Sequence, residues 1–137
     1  MNRLSKFFII IMFVGMTAFV FAESVDARGV SVWVGTWQSF DIPGDGSTNT
    51  LEITHGASRS TYDLVWTETY FSLCKGAPGI GYGTAYESFS NLYVSMTFYC
   101  KGSPEAQHYE LIFTYNTRLD NFTDGTIDWA RISPRPW

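Results

Sequence analysis

The stretch SNLYVSMTFYC, residues 90–100, alternates without a break: Leu92, Val94, Met96, Phe98 and Cys100 fall on one side, Tyr93, Ser95, Thr97 and Tyr99 on the other. Side chains of a β-strand point to opposite faces in turn, so this period marks a strand with one buried face. The pattern recurs along the chain. VGTWQSFD (34–41), NTLEITH (49–55), TYDLVWTET (61–69), IGYGTAYES (80–88), HYELIFTYN (108–116) and GTIDWARI (125–132) read as strands, and SLC (72–74) as a short one. Turn clusters separate them: PGDGS, HGAS, KGAPG, KGSP and TDG. No segment has the spacing of an amphipathic helix.

Short strands joined by short turns build either a sandwich or a closed meander. Sequential hairpins without a long crossover favour closure, which removes the edge strands. The expected fold is all-β, an antiparallel up-and-down barrel of about eight strands, whose interior holds side chains or one small ligand. The glycines at 79, 81 and 83 point either to room inside it or to the curvature of the barrel.

The ends carry a different signal. Residues 1–22 begin with Arg3 and Lys6, continue in an apolar run from Phe7, and end at Ala22. That order describes a secretory signal peptide, and the run is shorter than the roughly 20 residues of a spanning helix. Cleavage is expected after Ala22 or Ala27, giving an exported chain, secreted or periplasmic. It would hold a leader (23–33), one barrel domain (34–132) and a Pro-rich tail (133–137). The chain has 13 acidic and 9 basic residues, a net charge of −4, and loss of Arg3 and Lys6 makes it more acidic. Nucleic acid and anionic membranes are therefore poor partners. The two cysteines, Cys74 and Cys100, read most simply as one disulfide, with two buried thiols as the alternative.

DIPGDGSTNTLE (41–52) places Asp41, Asp45, Gly46, Asn49 and Glu52 at positions of an EF-hand calcium loop. Its flanks are strands rather than helices, and Pro43 stands where an oxygen ligand is needed. Pro-Gly-Asp-Gly is turn chemistry. Elsewhere, neither His55 nor His108 has metal-ligand neighbours in sequence, and there is no nucleophile elbow and no phosphate-cradling loop. No enzyme activity, metal or cofactor is expected.

VGTWQS near the first strand and DWARI at the last resemble the lipocalins and the wider calycin superfamily, which share a Gly-x-Trp on strand one and an Arg near the end of the final strand. Gly35, Trp37 and Arg131 occupy those positions. The resemblance implies an arginine packed across the indole at the closed end of a barrel. The Thr-Asp-Tyr element and the terminal helix of lipocalins are missing. A non-catalytic, monomeric binding protein is expected, holding a small apolar or aromatic ligand in or at the barrel mouth. Strand parity nominates Trp66, Glu68, Met96, Phe98 and Phe113 for ligand contact, and a one-residue slip would turn them outward. Glu68 stands out as a carboxylate on the face of Tyr62, Leu64 and Trp66. The alternative is an inhibitor or interaction module that binds a secreted hydrolase, or another protein, through the rim and the 23–33 segment.

Overall fold

The alternating segments form eight strands that follow one another round a closed antiparallel barrel. They are β1 (Gly35–Ser39), β2 (Asn49–His55), β3 (Thr61–Glu68), β4 (Gly79–Ser88), β5 (Asn91–Cys100), β6 (Ala106–Asn116), β7 (Asn121–Thr123) and β8 (Asp128–Arg131). Each pairs with the next, and β8 closes on β1 through Trp37↔Arg131 and Ser39↔Trp129. The computed structural model describes residues 31–39, 48–69 and 74–133. The signal segment, most of the leader, the 41–47 part of the calcium-like loop, and the tail from 134 onward lie outside the described residues.

The expected barrel is present, with one exchange among its strands. Cys74 opens a tight turn: the Ala77 N–H donates to its carbonyl at 3.1 Å, and Lys75 and Gly76 take φ of 55° and 87°. Residues 72 and 73 lie outside the described residues. The strand missing from the sequence reading is β7, whose three residues are too few to display a period. β1 and β8 are also shorter than expected: β1 starts at Gly35, and before β8 the Asp124 N–H donates to the Ile127 carbonyl at 3.2 Å, so 124–127 form a turn.

The inward face follows the predicted parity. Leu64, Trp66 and Glu68 of β3, Met96 and Phe98 of β5, and Phe113 of β6 are all buried. Each large apolar side chain removed from water contributes roughly 1.5–3 kcal/mol. β4 is the exception, with Gly81 and Gly83 on its inner side. Trp66 and Phe98 are the register partners of Gly81 on either side, and their rings meet edge to face at 5.2 Å. A Cβ on Gly81 would lie 2.7 Å from the Phe98 ring and 2.9 Å from Met96 Sδ. At these two positions the glycines do create room, but neighbouring side chains occupy it.

Cys74 and Cys100 form a disulfide across 26 residues, which stabilises the fold by about 3.5 kcal/mol in the chain-entropy account. It ties the β3–β4 connection to the last residue of β5. A disulfide fits an exported protein. Among the described residues, no helix is long and apolar enough to cross a membrane.

The two ends of the barrel differ. One carries the 56–60, 89–90 and 117–120 turns, Arg131 and the incoming segment 31–34, and we call it the sealed end. The other carries the 69–78, 101–105 and 124–127 connections, and we call it the disulfide end.

Candidate functional site

Sealing begins with Trp33, which is fully buried although it closes the expected leader. Its indole N–H donates to Glu87 Oε1 at 3.1 Å, and its carbonyl accepts from Trp37 Nε1 at 2.9 Å. The Tyr62 hydroxyl donates to Glu87 Oε2 at 2.7 Å. With that proton committed, the 2.8 Å contact to Ser31 has serine as donor. Burial pushes the Tyr62 phenol up to about 12; Ser31 opposes the shift and Glu87 adds to it.

Gly35, Trp37 and Arg131 meet at this end. The Arg131 guanidinium lies over the Trp37 ring with Cζ 4.1 Å from its centroid. It donates to the Val34 carbonyl at 2.6 Å and to the Val32 carbonyl, and Nε pairs with Asp120 at 3.4 Å. Gly35 has φ of 143°, and a Cβ there would stand 2.5 Å from Arg131 Nη1. Only glycine lets the backbone and the guanidinium pass so closely. Arginine thus staples the incoming chain over the barrel.

Toward the disulfide end the interior changes character. Glu68, the last residue of β3, is 7% exposed and sits opposite Asn49, which is 1% exposed. With its amide nitrogen turned to the carboxylate, Asn49 donates to both Glu68 oxygens at 3.2 Å. Its oxygen then faces Ser39 Oγ at 3.3 Å. Beside this chain of polar groups stand Trp66 and Trp129, edge to face at 4.7 Å. Both indole N–H groups are buried, and neither has an acceptor among the described residues. A buried donor left unpaired costs about 1–3 kcal/mol. A cleft of about 170 Å³ opens at the same end beside the disulfide, lined by Lys75, Ser103, Glu105 and Gln107. Gln107 is the register partner of Phe98.

Of the five residues nominated from parity, Trp66, Glu68 and Phe98 gather in this half of the barrel. Met96 lies between Gly83 and Tyr109 in the middle of the wall. Phe113 pairs with Leu92 and stacks on Phe122 at 4.8 Å, on the sealed-end side. Asn49, Ser39 and Trp129 join the group without having been nominated. Asn49 had been visible only as a position of the calcium-like loop, and Trp129 as an inward residue of the last strand.

The outer wall carries one arrangement with the composition of a catalytic relay. His108 Nε2 is 2.7 Å from Glu110 and 3.4 Å from Ser95, while Nδ1 faces Thr97 at 3.2 Å. In a relay the two ring nitrogens serve the acid and the nucleophile separately. Here acid and hydroxyl crowd the same nitrogen. These contacts from His108 and then Ser95 hold the Glu110 carboxyl below its ordinary range. Among the described residues, no group of three or more His, Cys, Asp or Glu side chains could hold a metal ion.

No family model matches this chain, and no curated protein or solved structure matches it.

Proposed function

We propose that the protein is an exported, non-catalytic, monomeric binding protein of lipocalin or calycin type. Its ligand binds at the disulfide end of the barrel, against Trp66, Trp129 and Phe98. The observation that carries this reading is the pair of buried indole N–H groups with no acceptor among the described residues, on the same inner face as a buried carboxylate. A ligand fitting these groups has a flat, partly apolar body, an acceptor for the indoles and a donor for Glu68. A neutral or cationic aromatic meets those terms; an anion would be repelled by the carboxylate. Met96 and Phe98 fill the space over the glycines, so the ligand rests near the mouth rather than deep in the wall. The calycin kinship is supported by Arg131 lying over Trp37 beside Gly35, the geometry implied by the sequence resemblance. Export after removal of 1–22 is supported by the disulfide.

The test is a thermal-shift and tryptophan-fluorescence screen of small neutral and cationic aromatics on the oxidised chain recovered from a secreting host. A ligand at a hundredfold excess over its Kd adds about 2.7 kcal/mol of stability. The gain should vanish in Trp66→Phe and Glu68→Gln. A ligand that stabilises both variants as well as the parent would overturn the site. A blank screen with stabilisation by a secreted hydrolase would move the function to the rim.

A further inference from the structure

The outer face of β3–β6 holds a groove of about 590 Å³, within the roughly 300–1,000 Å³ of ligand sites. Strand register builds its floor from two adjacent rows. One row is Asp63, Thr84, Ser95 and Glu110; the next is Thr61, Tyr86, Tyr93 and Ile112. Tyr86 and Tyr93 lie parallel, with centroids 5.0 Å apart and planes 9° apart. Tyr86 remains 55% exposed and Ile112 51%. Tyr82 stands further along the same face of β4, about 13 Å from Tyr86 at strand rise, and leans on Tyr99 at 6.3 Å.

We propose that this groove is a binding site for a neutral polysaccharide chain. A pyranose ring has a face of C–H groups and an edge of hydroxyls. The electron-rich face of an aromatic ring attracts the first. The acceptor-only carboxylate of Asp63 and the Thr84 hydroxyl suit the second; Ser95 already donates to Glu110 at 2.9 Å, and the same Glu110 oxygen faces His108 at 2.7 Å. Two exposed tyrosines spaced along one strand face fit a chain of rings better than a single small molecule. Among the described residues, the groove lining contains no Lys or Arg, which disfavours phosphorylated or sulfated ligands. A cationic ligand would be served best by rings arranged as a cage, whereas Tyr86 and Tyr93 stack on each other with planes 9° apart. The two carboxylates are three strand spacings apart, about 14 Å. Glycoside cleavage needs a pair within roughly 5–10 Å, so the groove holds the chain without cutting it.

The experiment is calorimetric titration of the oxidised chain with cellohexaose, xylohexaose, chitohexaose and maltohexaose, with pull-down on the matching insoluble polymers. At least one sugar should bind, and Tyr86→Ala should weaken it about tenfold or more, with unchanged far-UV circular dichroism. Tyr82→Ala should weaken polymer binding more than hexaose binding. Three results would overturn the proposal: no heat from any sugar at millimolar concentration, binding indifferent to Tyr86→Ala, or salt-sensitive binding of spermine or oligolysine in place of sugar.

Discussion

The two ends of this barrel bury polar groups in opposite ways. At the sealed end Glu87 accepts from both Trp33 and Tyr62, Tyr62 accepts from Ser31, and Arg131 is shared between two carbonyls, a carboxylate and an indole. Among the described residues, His55 Nδ1 is the one buried side-chain atom there without a partner, and that ring stacks on Tyr62 at 6.0 Å. At the disulfide end two indoles are buried with no acceptor among the described residues, beside a carboxylate and an amide. Interiors rarely leave donors unpaired, because the loss is not recovered elsewhere. Satisfied networks rigidify a structure, and unsatisfied ones mark where something else belongs. Among the described residues, the sealed end pairs most of its buried polar groups, and the unpaired indoles at the other end are what the proposed ligand site rests on.

The strongest way to break that contrast is to remove the staple. Arg131→Ala should destabilise the protein by about 3–5 kcal/mol, because it leaves carbonyls and Asp120 without their cation. Urea denaturation followed by tryptophan emission would measure it. A loss under about 1 kcal/mol, the size of a surface ion pair, would mean that the 31–34 segment is held by packing alone. Gly35→Ala should act through the same contact, since the added methyl would occupy the space of Nη1.

A finer comparison swaps one indole at each end for a smaller ring. Trp33→Phe removes an N–H that donates to the Glu87 carboxylate, and Trp66→Phe removes one that donates to nothing described. Both lose similar apolar volume, so the cavity terms offset one another. Hydrogen bonds to charged groups contribute about 1.5–3 kcal/mol, and Trp33→Phe should cost more than Trp66→Phe by about that amount. Equal losses would show that the Trp66 N–H is already satisfied and would remove the main support for a ligand at that end.

How much of this was legible beforehand depends on the range of the signal. Parity along β3 and β5 placed Trp66, Glu68, Met96 and Phe98 inward because the alternation is long and unbroken. β7 shows no signal because three residues carry no period, and at Cys74, where the sequence leaves a short strand beginning or ending, positive φ at Lys75 and Gly76 makes a turn. The glycines of β4 fit either room or curvature. Whether room stays empty depends on side chains two strands apart, and Phe98 and Met96 reach across. The grouping of Trp129 with Trp66 requires barrel closure, and the outer groove requires four strands in register. Neither is a property of any single segment.

The smallest effect concerns pH and again separates the ends. Burial, reinforced by Glu87, raises the folded Tyr62 phenol from the ordinary 10.0 to about 12. Below pH 10 the group is protonated whether the chain is folded or not, and it adds no slope. Between 10 and 12 the unfolded chain has released this proton while the folded chain keeps it. The unfolded state then binds fewer protons, so stability falls as pH rises through that window. Denaturation midpoints measured from pH 9 to 12 should decline more steeply in the parent than in Tyr62→Phe. That difference isolates one hydroxyl from the other tyrosines. A Trp66→Phe variant, altered only at the disulfide end, should keep the parent's slope. If it flattens the curve as Tyr62→Phe does, the two ends are coupled through the core, and the division of closure from binding fails.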